Sequence, residues 1–282
     1  MLTALANKIE VSVRPPLAYL DHCAIRRVSS TPELREDLVE TFKDRGTLMF
    51  SLVNVVEMAR NTGDSYGQIR DLLDALEPYW LLSDFEPTAV WKKELQGIVA
   101  PESFFAPLDI FGMLYRNMPE GTLRLGTALE KLQGPEFRAW AEERLGNESS
   151  ILRVIKSGRR DYRKGRPLRP PPFPKGSPIW IQDTLVQLLI KDGKKIRNND
   201  VFDLLHAAVP LRYAVLVVLD KAWANFAKRL QLDEETHIFS VAESKKALEV
   251  LRTMDTSRHR VVRPQIPRNI GDPIPPGGLP LP

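Results

Sequence analysis

Short apolar runs of the β-strand type alternate along the chain with stretches whose apolar residues recur every three or four positions, as they do in helices. The apolar runs predict strands at residues 17–20, 47–50, 79–82, 213–219 and 237–241. The run at 213–219 contains no charged side chain, which is typical of a strand covered on both faces. This alternation predicts an α/β domain around a mainly parallel sheet.

The predicted helices begin and end at recognisable signals. Thr31 and Pro32 form an N-cap followed by proline at the first helical position, and Gly46 ends that helix. Ser51 is expected to cap a helix that runs to Arg60. Further helices are predicted at residues 66–76, 88–95, 179–190, 199–209, 221–230 and 244–254.

The alternation of strand-type and helical patterns stops between residues 97 and 178, and we interpret this region as a helical insertion. Helical patterns at 122–133 and 136–145, separated by Gly134 and Pro135, predict a small lobe. The predicted domains are a core of residues 1–96 and 179–254, an insertion of residues 97–178, and a disordered or surface-lying tail of residues 255–282.

A basic segment at residues 155–166 closes the insertion and leads into the proline-rich run 170–174. Its candidate nucleic-acid contacts are Arg159, Arg160, Arg163 and Lys164. Basic residues followed by a stiff extended run could track a phosphate backbone. The alternative is a solvated, mobile connection, because charge runs are commonly just solvated.

The composition and charge of the chain are compatible with this fold and exclude few kinds of binding partner. A chain of 282 residues with 43% hydrophobic content can bury one large core or a core with a smaller lobe. The net charge of +4 slightly favours binding partners that are polyanions. One cysteine, Cys23, excludes an internal disulfide, and we expect it to be a small buried side chain. With no apolar run near the ~20 residues of a membrane span and no signal-peptide core, the expected location is the cytoplasm, without a membrane partner.

Four carboxylates stand at the ends of apolar runs or on otherwise apolar helices. They are Asp21, Glu57, Asp203 and Asp220. An isolated carboxylate is costly to bury in such places. If the fold gathers them, their mutual repulsion raises their pKa values and favours a hard divalent cation, most simply Mg²⁺ or Mn²⁺. Ligands in open α/β sheets collect at the carboxyl ends of the strands, so we predict a metal site there.

The acids also have ordinary structural interpretations. Asp21 and Asp220 each follow a predicted strand, where aspartate commonly caps a helix, and Glu57 could be a solvated helix residue. Asp200 lies one turn before Asp203 and could replace it as a ligand, although we favour Asp203.

Three neighbouring polar residues are secondary candidates. Ser51 and Asn54 could orient Glu57 or a water at the site, although Ser51 also suits an N-cap. His206 could contact phosphate, although a satisfied core histidine is the commoner case.

The motifs around the acids resemble those of PIN-domain ribonucleases. The resemblance rests on residues 19–22 after the first strand, 51–57 after the second, and 199–208 leading to 217–220. It covers about residues 18–95 and 179–241. The resemblance implies a three-layer PIN-like fold with a mainly parallel central sheet and a helical insertion.

The same resemblance implies an activity and its site. Asp21, Glu57, Asp203 and Asp220 match the family's catalytic carboxylates, which hold one or two metal ions. The implied reaction is hydrolysis of RNA phosphodiester bonds, with the ion polarising a phosphate oxygen and activating a water for in-line attack. A toxin or defence nuclease restrained by an inhibitory protein is one expected form, and a homodimer is compatible with it.

RNA contacts and other functions remain open. Arg26 and Arg27 follow Asp21, where they could hold RNA phosphates or be solvated. One alternative function is a non-catalytic nucleic-acid-binding scaffold that works through the basic segment. Another is an interaction module whose proline-rich stretches dock onto partners.

Overall fold

The computed structural model of the protein describes most of the chain. The described residues are 2–5, 8–11, 13–59, 63–76, 80–83, 86–100, 126, 139, 148–196, 198–232 and 236–255. The two helical patterns predicted at 122–133 and 136–145 lie outside the described residues except for positions 126 and 139. The tail from residue 256 also lies outside them.

The described strands form two sheets. The first is an antiparallel pair, β1 (Leu2–Leu5) with β2 (Lys8–Val11), which the sequence pattern does not predict. The second is an all-parallel sheet of five strands: β3 (Leu17–Leu20), β4 (Thr47–Ser51), β5 (Trp80–Ser83), β6 (Leu216–Leu219) and β7 (His237–Ser240). Their spatial order is β5-β4-β3-β6-β7.

Helices cover both faces of this sheet. They are α1 (His22–Ser30), α2 (Pro32–Asp44), α3 (Leu52–Ala59), α4 (Asp64–Ala75), α5 (Pro87–Leu95), α6 (Glu148–Arg163), α7 (Pro178–Asp192), α8 (Asn198–Tyr213), α9 (Lys221–Arg229) and α10 (Ser244–Thr253). One layer brings α1 against α2 and α4, and α10 against α2. The other brings α7 against α5, α6, α8 and α9. Strands β3 to β6 are buried at every position because both faces are covered, which confirms the predicted three-layer α/β architecture.

The order of the strands creates a switch point between β3 and β6. The chain runs outward from β3 through β4 to β5, and then crosses over to β6 on the other side of β3. The backbone N–H of Asp21 donates to the carbonyl of Val218 at 2.9 Å, so the residue after β3 stays in register with β6. Ligands in parallel sheets bind outside the carboxyl ends of such a pair, and this is where Asp21 and Asp220 lie.

Two elements beside the switch point differ from the sequence prediction. Helix α1 is not anticipated by the apolar pattern; its start is stabilised by Asp21, whose Oδ1 accepts the N–H of Ala24 at 2.7 Å. The prediction of a strand over residues 213–215 is wrong, because α8 continues through Pro210 to Tyr213. Pro210 has no N–H for the carbonyl of residue 206, but its own carbonyl accepts the N–H of Ala214 at 2.8 Å, which closes the last turn.

The basic segment is a helix rather than a mobile connection. Residues 148–163 form α6, and its buried Ile151 and Ile155 belong to the main apolar core. The proline-rich run that follows is anchored through Phe173, whose ring packs edge-on against Trp91 with centroids 5.3 Å apart. Both parts lie within residues 97–178, so at least this portion of the predicted insertion packs onto the core. Within the described part of the chain, none of the helices combines the length and apolar character that a membrane span requires.

Candidate metal centre

Three side chains at the carboxyl edge of the sheet lie close enough to share one ion. Glu57 on α3 and Asp203 and His206 on α8 have ligand atoms that all fall within 4.8 Å of one another. The His206 side chain is 1% exposed and that of Asp203 is 26% exposed, so the group opens to solvent on the carboxylate side. Glu57, Asp203 and His206 therefore form a group that could hold a metal ion, which we call the carboxylate–histidine centre.

A buried hydrogen-bonded chain fixes the orientation of His206. Its Nδ1 shares a hydrogen bond with the hydroxyl of Tyr19 on β3, and its Nε2 lies 3.4 Å from Oδ1 of Asp203. Burial disfavours the charged imidazolium, but the hydrogen bond to Asp203 and the charges of Glu57 and Asp21 outweigh it, so the pKa of His206 is raised. The negative surroundings at this edge thus favour a positive charge beside them.

Trp223 connects two of the acids. Its indole Nε1–H donates to Oδ2 of Asp203 at 2.8 Å, and its backbone N–H donates to Oδ1 of Asp220 at 2.8 Å. Asp220 is the N-cap of α9, as its position after β6 suggests. Partial burial, followed by the charge of Asp203, raises the pKa of Asp220. The tryptophan therefore holds Asp203 and Asp220 in one arrangement.

Asp21 is the most buried of the four predicted acids. Its side chain caps α1, and its Oδ2 also accepts the backbone N–H of Asp220 at 2.7 Å. Burial is the main cause that raises the pKa of Asp21 to about 7, and the charge of Asp203 adds to it. The capping interpretation is confirmed, and the carboxyl also ties the end of β3 to the start of α9. A cation at this edge would favour its ionised form.

The four predicted acids therefore lie near one another, although they do not have equal positions. Glu57 and Asp203 belong to the carboxylate–histidine centre, whereas Asp21 and Asp220 lie beside it and are held by helix caps. Partial desolvation of the Cys23 thiol, together with the charges of all four carboxylates, raises the pKa of Cys23 to about 12. The Cys23 side chain is exposed, so the expectation that it is buried is wrong.

Ser51 and Asn54 cap the start of α3. The backbone N–H and hydroxyl of Ser51 both donate to Oδ1 of Asn54 at 2.9 Å, and the N–H of Asn54 donates to the Ser51 hydroxyl at 3.2 Å. This reciprocal pattern is that of a capping box and confirms the N-cap interpretation of Ser51. It fixes the first turn of α3 and so positions Glu57 in the next turn.

The remaining site candidates lie farther from the centre. Asp200 is not a member of the carboxylate–histidine centre, yet its charge contributes to the raised pKa of Asp220. The same charge acts on Arg159, whose pKa is lowered by burial and by Arg163, while Asp192 and then Asp200 oppose this shift. The start of α8 is thus within electrostatic reach of both the acidic edge and the basic helix α6.

Helix α6 presents a stripe of exposed cations on the side away from its buried isoleucines. Lys156, Arg160 and Arg163 recur at helical spacing, and with Arg153 they line an open depression of about 680 Å³. Arg159 is fixed at one border of the stripe, because its guanidinium donates to the carbonyl of Leu189 at 2.6 Å and 3.2 Å.

The other predicted nucleic-acid contacts are also on the surface. Lys164 is exposed just after α6, and Arg26 and Arg27 are exposed on α1, the helix that Asp21 caps. Their position leaves both earlier interpretations, phosphate contact or a solvated side chain, in place.

Sequence reasoning missed two residues that shape the centre, Tyr19 and Trp223. Each carries one recognisable signal. A tyrosine within the fully buried strand β3 needs a partner for its hydroxyl, and a tryptophan in the first turn of a helix needs one for its indole N–H. The nearby polar group in each case comes from α8, which sequence spacing alone does not reveal.

Replacing Trp223 with phenylalanine is expected to weaken Mn²⁺ binding about tenfold. The change removes the hydrogen bond that orients Asp203, and loss of such outer contacts typically costs 10–100-fold in metal affinity. The edge-on packing against Phe226 is kept by a phenyl ring. Calorimetric titration with Mn²⁺ checks this, and Phe226→Leu, which disturbs the same ring pair without touching Asp203, is the control. Equal affinities for wild type and Trp223→Phe would contradict the positioning role.

The donor set is compatible with a divalent cation, since two carboxylates and one imidazole from two packed helices are common ligand types. Comparisons with known proteins add no identity: no family model, no curated protein and no solved structure matches this chain.

Proposed function

We propose that this protein is a metal-dependent endoribonuclease that hydrolyses RNA phosphodiester bonds. The observation that carries the proposal is the carboxylate–histidine centre, flanked by Asp21 and Asp220 at the switch point of the sheet. The resemblance of the surrounding motifs to PIN-domain ribonucleases supports the same activity.

Some of these residues would bind the ion, and others hold the site together. Glu57 and Asp203 supply oxygen ligands, while Asp21 ties the two strand ends together. A cation bound there would act as a Lewis acid on a phosphate oxygen and would lower the pKa of a water for attack on phosphorus. No side chain has to form a covalent intermediate.

The exposed stripe of α6 supplies a route for the substrate. Lys156, Arg160 and Arg163 face solvent, and Asp200 is within electrostatic reach of both Arg159 and Asp220. Helix α6 packs on α8, which carries Asp203 and His206, so an RNA strand whose phosphates follow the stripe would run beside the helix of the carboxylate–histidine centre.

Replacing Lys156, Arg160 and Arg163 together with alanine is expected to weaken RNA binding at least tenfold. For a single strand, the slope of log affinity against log salt should fall by about 0.7 for each lost phosphate contact, or about 2 in total. Fluorescence anisotropy in metal-free buffer measures both quantities. The matched control is Lys245→Ala with Lys246→Ala, two exposed cations on α10. An unchanged salt slope in the triple variant would exclude α6 as the RNA path.

Removal of metal tests the activity itself. With end-labelled single-stranded RNA, we expect cleavage in Mn²⁺, no cleavage after chelation with EDTA, and recovery when Mn²⁺ is added back. Cleavage that persists in EDTA, or no cleavage with any divalent cation, would contradict the proposal.

A non-catalytic nucleic-acid-binding scaffold is the second candidate, and the basic stripe of α6 is the observation that favours it. It predicts salt-sensitive RNA binding without cleavage at any metal concentration. The interaction-module alternative depends on proline-rich stretches, of which the tail lies outside the described residues. An inhibitory protein partner, a homodimer and a cytoplasmic location stay predictions.

A further inference from the structure

We infer that the ion of the carboxylate–histidine centre is a first-row transition metal such as Mn²⁺ or Zn²⁺ rather than Mg²⁺, with Nε2 of His206 as one ligand. This inference rests on the proposed metal site and deepens it by naming the class of ion and a nitrogen donor. The sequence pattern favours a site with oxygen donors only, formed by four carboxylates.

The distance between Asp203 and His206 is long for the hydrogen bond that they make, and it equals the spacing expected for two ligands of one ion. Oδ1 and Nε2 are 3.4 Å apart, whereas hydrogen bonds of this type cluster near 2.9–3.0 Å. In a tetrahedral zinc site, two donor atoms that each lie about 2.0–2.2 Å from the ion are about 3.4 Å apart. Glu57 contributes a third ligand atom, and one donor atom from each of the three residues lies within 4.8 Å of the other two.

The groups behind the donors are already fixed. Nδ1 of His206 is engaged by the Tyr19 hydroxyl, which leaves Nε2 as the nitrogen on the side of Asp203. The other oxygen of Asp203 is held by Trp223. Ligating histidines characteristically use their second nitrogen for such an outer hydrogen bond, which sets the orientation of the ring. Because Tyr19 is completely buried, this support cannot rearrange without disturbing β3.

The donor types then select the ion. Mg²⁺ prefers oxygen ligands in near-ideal octahedral geometry and keeps several waters. Imidazole nitrogen suits later ions, and affinities of mixed nitrogen and oxygen sites rise from Mn²⁺ towards Zn²⁺. A half-buried group with one nitrogen among three donors is therefore better matched to a transition metal.

The test needs no RNA. Calorimetry on the full chain compares Mn²⁺ with Mg²⁺, and pulsed electron paramagnetic resonance of the Mn²⁺-loaded protein detects a directly bound nitrogen. We expect Mn²⁺ to bind at least tenfold more tightly than Mg²⁺ and the spectrum to show nitrogen coupling. His206→Asn, whose amide can still reach Tyr19 but which lacks Nε2, should lose the coupling and bind Mn²⁺ at least tenfold more weakly. His237→Asn, a change of an exposed histidine on β7, should alter neither result.

The outcomes separate this inference from the proposed function. Wild-type protein that binds Mn²⁺ without nitrogen coupling, or that binds both ions equally, overturns the transition-metal assignment and leaves a metal-dependent ribonuclease standing. Protein that binds neither ion overturns both. The wild-type spectrum decides the matter even if His206→Asn does not fold.

Discussion

Replacing Asp203 with asparagine is expected to lower the rate of RNA cleavage about a thousandfold, equivalent to about 4 kcal/mol of transition-state stabilisation. Asparagine has nearly the same shape, and its amide oxygen can still accept the indole N–H of Trp223. The change removes the negative charge that the carboxylate–histidine centre contributes towards a cation. Single-turnover cleavage of labelled RNA, with circular dichroism to verify folding, measures the effect.

The control for this substitution is Asp44→Asn. Asp44 is exposed at the end of α2, immediately before β4 begins, and therefore lies at the opposite edge of the sheet. The Asp44→Asn variant should cleave RNA at the wild-type rate. If Asp203→Asn retained more than about a tenth of the activity, corresponding to less than about 1.4 kcal/mol, the carboxylate could not be a principal ligand.

Replacing Glu94 with leucine is expected to lower the free energy of unfolding by about 3–5 kcal/mol. Glu94 is 1% exposed and accepts two hydrogen bonds from the guanidinium of Arg212, at 3.1 and 3.2 Å, and one from the hydroxyl of Tyr213. These contacts join α5 to the last turn of α8. Without the carboxylate, the buried guanidinium has lost its principal counter-charge. Urea denaturation measures the difference.

A double replacement distinguishes the buried charge from simple loss of contacts. Glu94→Leu combined with Arg212→Met removes both charges and should recover most of the lost stability, because apolar side chains of similar size often replace a buried ion pair without cost. Glu40→Leu, at an exposed position on α2, should change stability by no more than about 0.5 kcal/mol. A double variant as unstable as Glu94→Leu would show that packing, rather than charge, is what the single change disturbs.

The sequence predicts the frame well where burial is continuous. β3 matches the expected strand at residues 17–20, and β4 and β5 lie within one residue of their predicted bounds, because these strands are buried at every position. β7 also lies within one residue of its predicted bounds, although Phe239 is its one buried residue. The acids could be placed at the carboxyl edge for the same reason, since Asp21 and Asp220 directly follow strands.

Contacts between distant segments could not be predicted. The hydrogen bonds that connect Tyr19, His206 and Asp203 join β3 to α8, two elements that are far apart in the sequence. Neither element carries a sequence pattern that specifies the other as its partner. Pro210 gives a false signal, because a proline usually indicates the end of a helix. Here the helix continues past Pro210 to Arg212 and Tyr213, whose side chains are buried.

The basic segment shows how one composition suits two structures. A cluster of cations with a proline-rich run behind it is typical of a solvated connection, yet Ile151 and Ile155 provide the buried side of a helix. Once the helix forms, the same cations become an ordered stripe, which turns a compositional feature into a candidate binding surface.

Anomalous diffraction from crystals soaked in Mn²⁺ tests the metal centre most directly. We expect a peak within coordinating distance of carboxylate oxygens of Glu57 and Asp203 and of Nε2 of His206. Absence of a peak there at saturating Mn²⁺, or a peak only at other carboxylates, would contradict the centre and with it the proposed hydrolysis of RNA.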